Sequence, residues 1–308
     1  MNDSLIGLDA LTQAQLDAWV SDAKTRTQLG RLPDYIPLLA RTKPHTVAVE
    51  IQTTKGRTFA AGEVMQPFAL MSVIKPFLLL FVLERFGADE VFKQVGVQPS
   101  DQPFHSLTQL SSDRGHPRNP MLNSGAIALA ALLPGREGAS CCNALCEWLN
   151  RLADTHLVLD QAMLTSVRSM ANESNRAIAS MLSQSGHLTS VELALDTYNH
   201  ICCLSGTVED LARLGLLLAQ PTLVIARQHQ QVVNALMLTC GLYEASGAFA
   251  VRIGLPTKSG VSGALLSIVP KQGVIAGYSP AIDLTGNSVA GLFLLEKLAT
   301  HLSLSIFG

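Results

Sequence analysis

Ser72-Val73-Ile74-Lys75 opens a strongly apolar stretch that continues from Pro76 to Leu83, and far downstream the chain reads Lys258-Ser259-Gly260. A serine hydroxyl is a poor nucleophile at neutral pH and must surrender its proton to a nearby base as it attacks. Three positions along a helix bring Lys75 onto the face of Ser72, with roughly 5–6 Å between their Cβ atoms. A lysine in that place, its charge disfavoured by burial or by a second cation, can act as the base. Lys258, followed by Ser-Gly, suits an edge strand lining the same cleft. The plainer alternatives are a Ser72 that caps a helix, a solvated Lys75 and a surface strand lysine at 258.

The rest of the composition bounds the answer. Net charge is −2 and no Lys or Arg run occurs, which argues against nucleic acid or an anionic membrane surface as partner. The longest apolar runs, Phe77–Leu83 and Ala126–Leu133, fall short of the ~20 residues needed to cross a bilayer and read as buried helices. Met1-Asn2-Asp3-Ser4 lacks the basic and apolar regions of a signal peptide, so a cytosolic protein is expected. The six cysteines form no C-x-x-C, and H-E-x-x-H is absent. Cys142, Cys146 and His156 come nearest to a ligand set, yet free cysteines are mostly small buried hydrophobes, so no metal is expected.

Along the chain, residues 8–29 suggest an amphipathic helix with Leu11, Leu16, Trp19 and Val20 near one face. Thr46–Ile51, a Lys55-Gly56 turn and Arg57–Ala61 predict a β-hairpin. From Ala88 to Cys240 the pattern is mostly helical, with helices from Asn123 to Leu133 and over 140–153, 160–182, 189–203 and 207–219. Thr207 followed by Glu209 and Asp210 marks a helix start. Ala248–Ile253, Ala264–Val269 and Gly273–Tyr278 read as strands, and Ser288–Leu302 as a closing helix. Strands at both ends with helices between predict an α/β (α+β) fold: an antiparallel sheet from the two chain ends, flanked by helices, with a helical insertion. The expected division is 1–87 plus 241–308 as a sheet-containing domain and 88–240 as a helical one, with the site in the cleft between them.

S-x-x-K with a distant K-T-G-like element is similar to the serine β-lactamase and penicillin-binding pattern. Further stretches narrow this: Asp34-Tyr35-Ile36-Pro37, Asn119-Pro120-Met121-Leu122-Asn123-Ser124-Gly125-Ala126-Ile127, Asp196-Thr197-Tyr198, Gly241-Leu242-Tyr243-Glu244-Ala245-Ser246-Gly247, Pro256 to Gly263 and Gly286-Asn287-Ser288. Taken together, in this order, they resemble the serine-dependent glutaminases, which share the β-lactamase-like fold. The resemblance implies hydrolysis of L-glutamine to L-glutamate and ammonia with no metal or organic cofactor. Ser72 would form a γ-glutamyl ester, with Lys75 and Tyr198 carrying the proton. The N–H groups of Ser72 and Val261 would hold the oxyanion, a contribution of several kcal/mol at the transition state. Tyr35, Asn123, Asn175 and Tyr243 fall on positions that hold or enclose glutamine, and a homodimer or homotetramer is implied. Tyr198 is otherwise a packed aromatic, and Asn123 a helix cap.

Departures from the family pattern concern the substrate-reading shell. The family's Glu seven residues before the Asn matching Asn175, which meets the α-ammonium, is here Arg168. A guanidinium there would repel an ammonium at a cost on the order of a few kcal/mol. Glu173 stands nearby, but two residues along a continuous helix from Asn175 it points to another face. Met71 replaces the usual Gln, Ile74 a Ser, and Phe104-His105-Ser106 stands for F-N-S. Two alternatives to a glutaminase follow: an amidohydrolase of altered specificity set by Arg168, or a binding or regulatory homologue with weak catalysis. A penicillin-recognising enzyme fits the Asn119–Ile127 and Gly241–Gly247 stretches less well.

Overall fold

The computed structural model describes residues 7–308; the Met1–Ser4 stretch read above lies outside them. Helix α1 (Gln13–Arg26) starts at a Thr12–Gln15 capping box and buries Leu16, Trp19 and Val20, the face its spacing predicts. The hairpin follows as β1 (Ala48–Thr53) and β2 (Thr58–Gly62), then a two-residue strand β3 (Phe68–Ala69). Next come α2 (Lys75–Phe86), α3 (Ala88–Gln94), α4 (Leu107–Ser112), α5 (Asn123–Ala130) and α6 (Gly138–Ala153). Strand β4 (Val158–Leu159), α7 (Gln161–Arg168), α8 (Glu173–Gln184), α9 (Val191–Cys202), β5 (Leu204–Gly206), α10 (Val208–Ala219) and α11 (Arg227–Cys240) complete the middle of the chain. After it come α12 (Ser246–Arg252), β6 (Thr257–Ser259), β7 (Ala264–Val269), β8 (Gly273–Tyr278) and α13 (Val289–Leu302).

Five strands form an antiparallel sheet in the order β2-β1-β8-β7-β6. The two chain ends meet at its centre, where β1 pairs with β8 from Ala48↔Tyr278 to Thr53↔Gly273. Alternation along β1 sorts its side chains to opposite faces. Val49 and Ile51 join a core with α1, α12 and α13. Ala48 joins the larger core, which extends through α2, α5, α9 and α10. Helix α2 has no polar side: Phe77 to Leu83 are all buried, with Pro76 in the first turn, where its missing N–H is least costly.

Three expectations need correction. Ala248–Arg252 is helical, within α12, with Ile253 as its C-cap, because Phe249 and Ile253 both go inward, a four-residue spacing that one helix face satisfies. The helix expected over 160–182 breaks at 169–172: Asn172 adopts a positive φ and its side chain caps α8. A second sheet, β3-β5-β4, was not foreseen, since its strands of two or three residues are too short to carry a periodic signal.

Candidate active site

Ser72 lies in a 3-10 turn, Met71–Ile74, that feeds directly into α2, and the Lys75 N–H donates to the Ser72 carbonyl. Ser72 stands three positions before Lys75, the spacing that puts side chains on one side of such a turn, while the Lys75 amine makes its hydrogen bonds to other groups. Lys75 is wholly buried. Its Nζ donates to Met121 O (3.0 Å) and Asn123 Oδ1 (2.8 Å). Tyr198 donates its hydroxyl to the same Asn123 Oδ1 at 3.0 Å, and Asn123 Nδ2 donates to Asn175 Oδ1 at 2.9 Å. Asn123 is therefore the hub joining three other predicted residues, Lys75, Tyr198 and Asn175. Burial lowers the Lys75 ammonium from 10.5 to about 8, and raises the Tyr198 hydroxyl well above its ordinary range. Burial pushes the Tyr243 phenol up to about 12, although the nearby Ser72 hydroxyl pulls it down.

The second lysine arrives as predicted on an edge strand, β6, but behind the cleft wall rather than in it. Lys258 is fully buried, donates to Gly241 O (2.9 Å) and Ser259 O (2.6 Å), and sits 4.3 Å from the Tyr243 ring centroid. Burial first, then the charge of Lys75, lowers its ammonium well below the ordinary range. It fastens the segment carrying Tyr243 to the strand that leads into Val261. Gly260 lets that strand run close: a Cβ there would sit 2.8 Å from Leu70 O and 3.4 Å from Ser72 N. Gly263 closes the following turn at φ 94, where a Cβ would strike the Ser279 carbonyl. The segment leading to Val261 thus runs against Ser72, and neither the Ser72 nor the Val261 N–H has a protein acceptor among the described residues. Met71 and Tyr243, on either side of Ser72, both have left-handed backbones, φ 48 and 59. Strain of this kind in non-glycine residues persists where surrounding structure enforces it, commonly at functional sites.

Ser72 and Val261 open into a cleft of about 360 Å³, which Tyr35, Asn123, Asn175 and Tyr198 also line. The family model described as Glutaminase matches residues 30–307. A Synechocystis glutaminase is 43% identical over 296 residues, covering 96% of this chain and 90% of the relative. The chain belongs to the glutaminase family. A Vibrio atlanticus glutaminase is 36% identical, covering 96% of this chain and 99% of the relative. Among solved structures, a Bacillus subtilis glutaminase in covalent complex with 5-oxo-L-norleucine, formed by reaction with 6-diazo-5-oxo-L-norleucine, superposes with TM-score 0.87 at 31% identity. That match covers 96% of this chain and 99% of the other. The β-lactamase-like fold expected of glutaminases is the fold observed.

Arg168 does not fulfil its expected place in a glutaminase cleft. Its guanidinium pairs with Asp196 and lines a neighbouring groove, not the cleft. The reason is the break between α7 and α8: seven residues is two turns of one helix, but Arg168 and Asn175 lie on different helices. Glu173, discounted because two residues along a helix point to different faces, stands at the first position of α8 and lines the cleft with Asn175. It is the one carboxylate among the cleft-lining residues and makes no side-chain hydrogen bond or ion pair among the described residues. Cys202 was also missed. It lines the cleft beside Tyr198, and burial pushes its thiol up to about 11 although Lys75 pulls it down. The signal was its position, four residues after Tyr198 on one helix.

Proposed function

We propose that the protein hydrolyses L-glutamine to L-glutamate and ammonia through an ester on Ser72. The carrying observation is a wholly buried lysine of lowered proton affinity one turn after a cleft-lining serine, with the backbone N–H groups of Ser72 and Val261 lacking protein acceptors among the described residues. Ser72 Oγ bonds to the amide carbon, and its proton passes to the neutral Lys75 amine, with Tyr243 near the hydroxyl and Tyr198 sharing Asn123 with the lysine. The N–H groups of Ser72 and Val261 hold the developing oxyanion. The C–N bond breaks as the proton is returned to the leaving nitrogen. Water then attacks the ester, gives its proton to Lys75, and glutamate leaves as Ser72 is reprotonated. Purified protein should release ammonia and glutamate from glutamine in equal amounts; no release from folded protein would overturn the reading.

Asn123, Asn175 and Tyr35 enclose the substrate in this scheme, Lys258 positions Tyr243 and the Val261 strand, and Glu173 receives the α-ammonium. Arg168, neutralised by Asp196, removes the ground for an altered specificity. Glu173→Gln should raise KM for glutamine on the order of tenfold, the value of a charged hydrogen bond. It should leave kcat/KM unchanged for glutaramate, which has no α-ammonium, and Arg168→Glu should change neither. Equal losses on both substrates would assign Glu173 another role.

The cleft takes Tyr35, Ser72 and Val261 from one side and Asn123, Asn175 and Tyr198 from the other. This supports a sheet domain of 1–87 plus 241–308 and a helical domain of 88–240. A cytosolic location is supported by six cysteines that are all free. Among the described residues no single helix is long and apolar enough to cross a membrane. Assembly as a homodimer or homotetramer is proposed on membership of the glutaminase family.

A further inference from the structure

The cleft does not end at the amino-acid site. A second groove, about 630 Å³, adjoins it, and Val167, Met170, Asn172, Asn175 and Asn199 line both. Two of these shared residues have unused hydrogen-bonding capacity. Asn175 Oδ1 accepts from Asn123, while its Nδ2 has no partner among the described residues. Asn199, half-buried, makes no side-chain hydrogen bond among the described residues. Amides placed so at a rim match the N–H and C=O of a peptide unit. Beyond the rim the groove holds three guanidiniums. Arg168 is taken by Asp196 and Arg176 faces Glu192 at 3.5 Å. Arg136 is exposed, lines the groove and forms no ion pair among the described residues.

We propose that the enzyme also hydrolyses the side-chain amide of glutamine extended at its carboxyl end, that is, of short peptides with glutamine at the N-terminus. The inference rests on the reading above, in which Glu173 holds a free α-ammonium inside the cleft. With the amide at Ser72 and the ammonium at Glu173, the remaining substituent of the α-carbon leaves toward Asn175 and Asn199. In free glutamine it is a carboxylate; in Gln-Gly it is a peptide unit whose terminal carboxylate continues toward Arg136. The chemistry is unchanged: water is added, the amide C–N bond breaks, ammonia leaves, and the peptide bond stays intact. Extension at the other end, as in Gly-Gln, removes the ammonium and is rejected.

The test is ammonia release from glutamine, Gln-Gly and Gly-Gln by the purified full chain. The product is identified by mass as Glu-Gly rather than the pyroglutamyl peptide of spontaneous cyclisation, against a control without enzyme. The expected result is a kcat/KM for Gln-Gly within roughly thirtyfold of that for glutamine, and a far lower value for Gly-Gln. Arg136→Ala should lower kcat/KM for Gln-Gly roughly fivefold through KM, the value of one exposed charge pair, and leave glutamine unaffected. Good cleavage of glutamine with Gln-Gly beyond that range, equal cleavage of both dipeptides, or an Arg136→Ala effect absent or shared by glutamine overturns the inference while leaving the glutaminase reading intact. Failure to cleave glutamine overturns both.

Discussion

Ser72→Ala is expected to lower kcat for glutamine by about 10⁴-fold or more while the protein stays folded. The substitution removes one oxygen from a nearly buried residue and leaves Tyr243 still able to donate to Ser259 O, 3.4 Å away. The N–H groups at 72 and 261 remain, so substrate binding and any residual polarisation of the amide persist. What disappears is the covalent step. 6-Diazo-5-oxo-L-norleucine should therefore add mass to the wild type at Ser72 and add none to the variant. A variant that keeps a hundredth of the activity, or takes up the label equally, removes Ser72 from the role of nucleophile. A wild type with neither turnover nor label is instead the outcome for a binding or regulatory homologue.

How far these features can be read from sequence depends on how local they are. Ser72 and Lys75 are legible because one turn of helix fixes their relation whatever surrounds them. The β1–β2 hairpin is legible for the same reason: the alternation and the Lys55-Gly56 turn lie within one short stretch. Joining β1 to β8 requires only that strands at the two ends share a sheet. Arg168 is misread because a four-residue break, capped by Asn172, separates its helix from that of Asn175, and Ser169-Met170-Ala171-Asn172 carries no glycine or proline to announce it; Glu173 is misread because it stands at the first position of its helix, at the rim of the cleft. The position of Lys258 behind Tyr243 depends on tertiary packing between segments, and no periodicity within β6 encodes it.

Lys75→Met is expected to lower kcat on the order of 10³-fold or more and, at the same time, to stabilise the fold. The activity loss follows from removing the base, since general-base catalysis contributes roughly 10²–10⁴-fold and Ser72 cannot ionise unaided. In the wild type, kcat/KM should rise with pH through an ionisation near 8, the lowered value of Lys75, because the neutral amine is the active form. The stability change has the opposite origin. Burial holds Lys75 below its ordinary 10.5, so between about 8 and 10.5 the unfolded chain binds the extra proton, and stability rises with pH through that window. Below about 8 the penalty of the buried charge is fully present, worth about 3 kcal/mol from the shift alone. Methionine fills a similar volume without the charge, but Met121 O loses its donor while Asn123 Oδ1 keeps Tyr198, which offsets part of the gain. The net expectation at neutral pH is a gain on the order of 1–2 kcal/mol, measured by urea unfolding, that shrinks as the pH approaches 10. A variant that is less stable at neutral pH, or whose residual rate keeps the wild-type rise near 8, shows that Lys75 is not the strained base that the nucleophile depends on.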